Sequence, residues 1–458
     1  MGVVRRQWGV LLALGLLAVA ALPASSATFY PILTNGPSSN RLDIAFLAEG
    51  YTSNQVSKFL TDCTNALAAL MSHSPFTEYQ GHFNAGAIAV ASTQSGSDHP
   101  AYSLSRNTYF NSSYDATSDY VITIPTGSTG QGKVTTLLNT FMPGCDLSVL
   151  LVNDVTFGGS DGSGQTAIAS AGAASAIIVP HETGHVLANL GDEYDTAFSY
   201  PDTEEPNTTR ETRRDYVKWK AWIADTTPVP TPETLDYSAT VGLFEGAHYH
   251  TTGWYRPKLD CMMNSMQTEF CEVCREALVL AFYQKTRPIE GTSPSQAVVS
   301  LTAPQDVTFD LQLLQPVAEP LNVTWVLNGA EVQSSTNQQY VVASASLKPG
   351  ANTVVALVQD RTALVRTDAS NLLTQSMSWT VNLNITSITL SEPILLPQGA
   401  VAFRVSGSAA GPVYVQASSS LVSWSTISTN NLNSGEFWVT NTPAMGSAGN
   451  FYRAATQP

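Results

Sequence analysis

Beyond residue 290 the chain carries neither a histidine nor a cysteine. All seven histidines, all five cysteines and most of the charged side chains lie before that point, and afterwards Val, Ser, Thr, Leu and Asn dominate. Chemistry therefore belongs to the first part, and the second must fold on apolar alternation alone. At 458 residues the chain exceeds what one ordinary hydrophobic core supports, so two or three domains are expected.

The first part alternates strands with helices. Arg41 to Leu47, Phe83 to Val90, Tyr120 to Ile124 and Leu147 to Asn153 read as strands, and Thr52 to Met71 reads as a capped helix with an apolar stripe. A polar helix is expected over Glu211 to Ile223, inside a Pro- and Thr-rich surface excursion spanning 200–235, and another helix over Cys271 to Lys285. This pattern predicts a mixed α/β layer fold. The later part predicts short strands, among them Val307 to Leu313, Asn322 to Val326, Asn352 to Val358, Ser376 to Val381, Ala400 to Val405 and Val413 to Ala417, as in all-β sandwiches.

Residues 1–27 have a basic start (Arg5, Arg6), an apolar run from Trp8 to Leu22, and small residues Ser25 and Ala27 before a cleavage point. They read as a secretory leader, which predicts a secreted or extracellular protein, with cell-surface association as a further reading and no stable membrane insertion once the leader is cut. A formal charge of −15 argues against a nucleic-acid surface, which needs clustered Lys and Arg. Secretion permits disulfides. Cys261 with Cys271 or Cys274 is the first expected pair, and Cys63 with Cys145 the second. Asn-X-Ser/Thr sequons begin at Asn111, Asn207, Asn322 and Asn384.

The sharpest motif is His181-Glu182-Thr183-Gly184-His185. Four residues apart on a helix, His181 and His185 share one face and can put two imidazoles on one metal, with Glu182 beside them to activate water. Imidazoles favour zinc over calcium or magnesium. A third protein ligand is required; Asp192 is the first choice, with Glu193, His248 and His250 as alternatives, and Gly191 is expected to release the chain from the helix. Tyr194, Tyr249 and Tyr255 are candidate donors to an oxyanion. The glycine-rich Phe157 to Gly162 lacks the Gly-Lys-Ser/Thr ending of a phosphate loop and is expected to shape a cleft. Cys271 and Cys274 form one CxxC, with no second pair to complete a zinc site of that kind.

The stretch from His181 to Tyr194, ending Leu190-Gly-Asp-Glu-Tyr194, resembles the secreted bacterial metallopeptidase family best known for an immunoglobulin A peptidase. Phe46-Leu-Ala-Glu-Gly-Tyr-Thr52, Pro75-Phe76, Lys218-Trp219, Gly242 to Ala247 followed by His248-Tyr249, Cys261-Met-Met263 and Phe270-Cys-Glu-Val-Cys274 extend the resemblance over about residues 41–285. It implies that His181 and His185 bind Zn2+, that Glu182 is catalytic, and that a metzincin-like methionine turn at Met263 or Met262 underlies the metal. The chain departs from the metzincin pattern at Gly191, where a third histidine would stand.

The whole reading is a zincin-like (metzincin-like) α/β catalytic domain at 28–292 followed by two small all-β sandwich-like domains at 293–384 and 385–458. This reading predicts a zinc metalloendopeptidase acting on a protein or peptide substrate, with surface or glycan contact expected through the C-terminal domains. The competing readings are a metal-dependent cell-wall amidase and a surface- or glycan-binding protein with an inactive zincin domain.

Overall fold

The computed structural model describes residues 27–458 except 161–165, 197–201, 267, 303–304, 385–386, 410, 433–434, 444–449 and 457–458. The expected leader, apart from Ala27, and the end of the glycine-rich stretch lie outside the described residues. Two compact units emerge, the first comprising residues up to Phe76 and Phe83–Cys274, the second Thr77–His82 and Arg275–Pro458.

The first unit is built on β1 (Thr28–Leu33), β2 (Leu42–Glu49), α1 (Val56–Met71), β3 (Phe83–Ala89), the short β4 (Ser113–Tyr114) and β5 (Ile122–Thr123), and α2 (Gln131–Phe141). It continues through β6 (Leu147–Val152), β7 (Gly159–Ser160), β8 (Thr166–Ser170), α3 (Ser175–Ala188), β9 (Phe244–Ala247), β10 (His250–Arg256), α4 (Met262–Ser265) and the start of α5 (Glu272–Lys285). Six strands form one mixed sheet in the order β1-β3-β2-β6-β8-β7. The inner pairs β3-β2, β2-β6 and β6-β8 are parallel, and antiparallel β1 and β7 close the edges. Every residue of β2, β3, β6 and β8 is buried, as befits parallel strands covered on both faces. The hydroxyl cap expected at Thr52 is a capping box with Gln55 that opens the 3-10 turn Ser53–Gln55 leading into α1.

Two expectations fail here. The helix expected over Glu211 to Ile223 is instead a pair of 3-10 turns, Arg214–Tyr216 and Lys220–Trp222. Tertiary burial overrides the local propensity: Val217, Trp219 and Ile223 are buried, and the Trp219 indole donates to the Gly242 carbonyl at 2.8 Å. The disulfides are also absent, since all five cysteines are free thiols. Cys274 Sγ lies 3.7 Å from Cys261 Sγ and 3.5 Å from Cys271 Sγ, whereas a disulfide needs about 2.05 Å.

The second unit holds small, mostly antiparallel sheets. One pair has three strands (Ile289–Ser293, Val307–Leu313, Gln339–Val342) and five (Val298–Thr302, Thr374–Asn384, Gly350–Gln359, Asn322–Leu327, Ala330–Ser335). Their core centres on Phe309, Trp325 and Trp379. Two further three-stranded sheets enclose Phe403, Val405, Val413, Val415 and Val439. Within this unit the Asp360 carboxylate accepts hydrogen bonds from the buried hydroxyls of Tyr79 (2.6 Å) and Tyr283 (2.8 Å), so residues far apart in sequence meet on one charge. Burial, reinforced by that carboxylate, pushes both phenols up. Asp360→Ala should cost roughly 1–3 kcal/mol for each hydroxyl it orphans, read as a lower urea midpoint for loss of the second unit's tryptophan fluorescence.

Candidate metal centre

Helix α3 packs on α1 and β8, and its residues from Ile178 to Gly184 are all buried. The His181 and His185 rings meet edge to face with centroids 4.8 Å apart and Nε2 atoms 3.1 Å apart. His181 Nδ1 lies 3.0 Å from the Met262 carbonyl and His185 Nδ1 lies 2.6 Å from the Leu190 carbonyl. A carbonyl only accepts, so each Nδ1 must donate, and each neutral ring then presents an Nε2 lone pair to the other. Asp192 Oδ1 completes the group at 3.2 and 3.4 Å from the two nitrogens, and it has no hydrogen-bond donor.

Three lone pairs facing one another in a buried site repel unless a cation lies among them. Ligands about 2.0–2.1 Å from a tetrahedral zinc are roughly 3.3 Å apart, which matches the observed edges. The donor set therefore fits zinc. Without a metal, a proton takes the role: burial pushes the His185 imidazole down, but Asp192 outweighs it and the group is pushed up to about 10. Burial acts against the Asp192 carboxylate too, yet the two imidazoles hold it far below the usual range.

Asp192 arrives there because α3 stops at Ala188. Asn189 takes the left-handed conformation (φ 49°), and the amides of Asn189 and Leu190 return to the carbonyls of His185 and Gly184. The release expected of Gly191 thus belongs to Asn189. Gly191 serves close approach instead, since a Cβ there would sit 2.6 Å from Glu205 Oε2 and 3.0 Å from Thr208 Cγ2. The Asn207 amide clamps Gly191, accepting from its N–H at 2.7 Å and donating to its carbonyl at 2.8 Å. Asn207 is fully buried, so this sequon is closed to glycosylation in the folded chain.

The turn between β9 and β10 supplies the next support. His248 and Tyr249 both have positive φ (55° and 59°), and their amides donate to the carbonyls of Asp192 and Tyr194 at 2.9 Å. The Tyr249 hydroxyl donates to Asp192 Oδ2 at 2.7 Å. Two non-glycine residues held in this conformation store strain, and here it aims both residues at the metal-facing segment.

Of the alternatives for a third ligand, His248 pairs with Glu205 at 3.0 Å and stacks on Trp254, and His250 Nδ1 contacts the His248 carbonyl at 2.6 Å. Glu193 turns into a group with Cys261, Cys271 and Cys274. Among the described residues only Asp192 clusters with the histidine pair. Below them, a Cβ on Gly184 would meet Met263 Sδ at 3.0 Å, so glycine lets the helix rest on that methionine, while Met262 holds His181 through its carbonyl. Glu205, Asn207 and the Tyr249 contact escaped sequence reading, because buried polar loop residues carry no periodic signal.

The three groups line a cleft of about 530 Å³ with Glu182, Ile178, Tyr120, Val121, Phe157, Gly159, Ser160, Tyr194, Thr196, Tyr249 and Met266. Tyr194 and Tyr249 face the cleft; Tyr255 is not among its lining residues. The Tyr120 wall is fixed by Asp115, whose carboxylate accepts from the amides of Ser118, Tyr120 and Val121. The first residues of the glycine-rich stretch do shape this cleft, as expected.

A donor set for a divalent metal on the wall of a cleft, with the side chain of Glu182 beside it, is the arrangement of a metal-dependent hydrolase. The chain belongs to the IgA peptidase family M64, whose profile matches residues 30–237 and 233–282, more than half of its length. It is a metal-dependent peptidase, and membership places it among secreted or surface-associated enzymes. No helix among the described residues is long and apolar enough to cross a membrane. No curated protein matches the chain. Among solved structures, the fibronectin(III)-like modules of Clostridium thermocellum CbhA are 11% identical, covering 33% of this chain and 78% of theirs, with a TM-score of 0.16. An FMN-binding beta-glucuronidase from Facaelibacterium prausnitzii L2-6 is 14% identical, covering 55% of this chain and 37% of its own, with a TM-score of 0.14. Scores this low do not bear on the fold.

Gly191→Ala forces Glu205 off its place beside His248 and should cost about 1–3 kcal/mol, the range for overpacking a dense interior. The midpoint of urea denaturation reports it.

Proposed function

We propose that the chain is a zinc endopeptidase in which His181, His185 and Asp192 hold the ion and Glu182 is the general base. The observation that carries this reading is the convergence of two Nε2 atoms and Asp192 Oδ1 within 3.1–3.4 Å while both Nδ1 atoms are committed to carbonyls. When bound, zinc supplies Lewis acidity toward water and the scissile carbonyl.

The chain's own groups do the rest. Glu182 follows His181 on the helix, lines the cleft and is buried to 5% exposure. Its carboxylate takes a proton from the attacking water and passes it to the leaving amine. The Tyr249 hydroxyl is spent on Asp192, which leaves Tyr194 as the phenol to face the substrate carbonyl. Ile178, Phe157 and Tyr120 form apolar walls suited to apolar side chains flanking the scissile bond. Met262 and Met263 beneath the histidines support the zincin-like, metzincin-like reading of the 28–292 domain. For the sandwich-like domains at 293–384 and 385–458 we propose a surface or glycan contact, supported by the half-exposed Trp438 and Phe451 on the last one.

Glu182→Gln should keep the wild-type zinc content and lose about 10²- to 10⁴-fold in kcat, measured on an unfolded protein substrate beside metal analysis. Equal turnover by the two proteins would overturn the role given to Glu182. Tyr249→Phe should weaken zinc binding about 10- to 100-fold, as loss of a group orienting a metal ligand does, read by competition with a chromogenic chelator.

A further inference from the structure

We propose that Cys261, Cys271, Cys274 and Glu193 hold a second zinc ion, a closed structural site separate from the catalytic one. The geometry is that of a metal site and not of a disulfide. Cys274 Sγ lies 3.7 Å from Cys261 Sγ, 3.5 Å from Cys271 Sγ and 3.6 Å from Glu193 Oε1, and the four donor atoms all lie within 4.8 Å of one another. Around a tetrahedral zinc with Zn–S of about 2.3 Å and Zn–O of about 2.0 Å, sulfur–sulfur edges are about 3.8 Å and sulfur–oxygen edges about 3.5 Å. Any single disulfide among the three thiols would leave the third beside a buried carboxylate.

Glu193 is the second, independent observation. It is 0% exposed, its Oε1 accepts one hydrogen bond from Asn207 Nδ2 at 2.8 Å, and its Oε2 has no hydrogen-bond partner. A buried carboxyl oxygen without a partner, set among three sulfurs, is a donor free to take a cation. Asn207 is then the group that orients a ligand from behind. The Cys271 amide donates to Cys261 Sγ at 3.3 Å, a contact that favours thiolate. Cys271 immediately precedes α5 and Cys274 lies in its first turn, where the helix dipole does the same. None of the four residues lines the cleft, so all four positions are filled by protein, as in structural and not catalytic zinc sites. Burial and ligation together shield the thiolates from oxidation outside the cell.

The ion would tie together the two segments that complete the catalytic centre. Glu193 directly follows Asp192, and its amide donates to the Met263 carbonyl at 2.9 Å; Cys261 directly precedes Met262, whose carbonyl holds His181.

The test uses the full secreted chain purified without chelator. Expected are two zinc ions per wild-type chain and one in His181→Ala/His185→Ala. That remaining ion should be released as the thiols are titrated with an organomercurial, and cobalt in its place should give a thiolate-to-metal charge-transfer band. Glu193→Gln and Cys271→Ser should each lose this equivalent. One zinc in the wild type with none in the double histidine variant, or recovery of a disulfide among these cysteines from unreduced peptides, would overturn the proposal. Two ions retained in the double histidine variant, one of them thiol-bound, would instead overturn the catalytic assignment while leaving this site standing.

Discussion

The centre rests on two backbone carbonyls. Met262 and Leu190 each take the Nδ1 proton of one histidine, and that choice turns both Nε2 lone pairs toward the same point. Neither carbonyl belongs to α3. One lies on the first residue of α4, the other on the segment that leaves α3, so the helix alone does not make a metal site. The Schellman-type ending at Asn189 and the short helix at Met262–Ser265 must both be in place before the imidazoles are poised. Asp192, and the Tyr249 hydroxyl behind it, then follow from the same local path of the chain.

His181, Glu182 and His185 were legible because helical periodicity converts a spacing of four into a shared face. Asp192 was legible as one of several carboxylates and imidazoles, and only the pairing of His248 with Glu205 and the burial of Glu193 among sulfurs set the others aside. Their partners were illegible because they come from an irregular segment whose polar composition reads as surface. Glu205, Asn207, Thr208 and Thr209 are in fact buried, since backbone groups of the metal-facing segment need side-chain partners that no sheet supplies.

Of the four fully buried strands, β2, β3 and β6 were read to within two or three residues, while β8, made of small residues and Thr and Ser, was not read as a strand. The helix expected over 211–223 failed because Trp219 and its neighbours are recruited into the core. The cysteines misled for another reason. An extracellular address raises the prior for disulfides, but the carboxylate that accompanies the three thiols stands 68 residues before Cys261, and no spacing rule connects them.

The second unit is discontinuous in sequence: Thr77–His82 belong to it, and Tyr79 shares the Asp360 carboxylate with Tyr283. Recombination moves contiguous stretches of gene. A β-rich tail that depended only on its own residues could be traded between secreted enzymes like a cassette, but this one carries six residues encoded between α1 and β3 in its packing. Its inheritance is therefore bound to that of the peptidase, and a homologue that lost the tail would have to rewrite that loop as well.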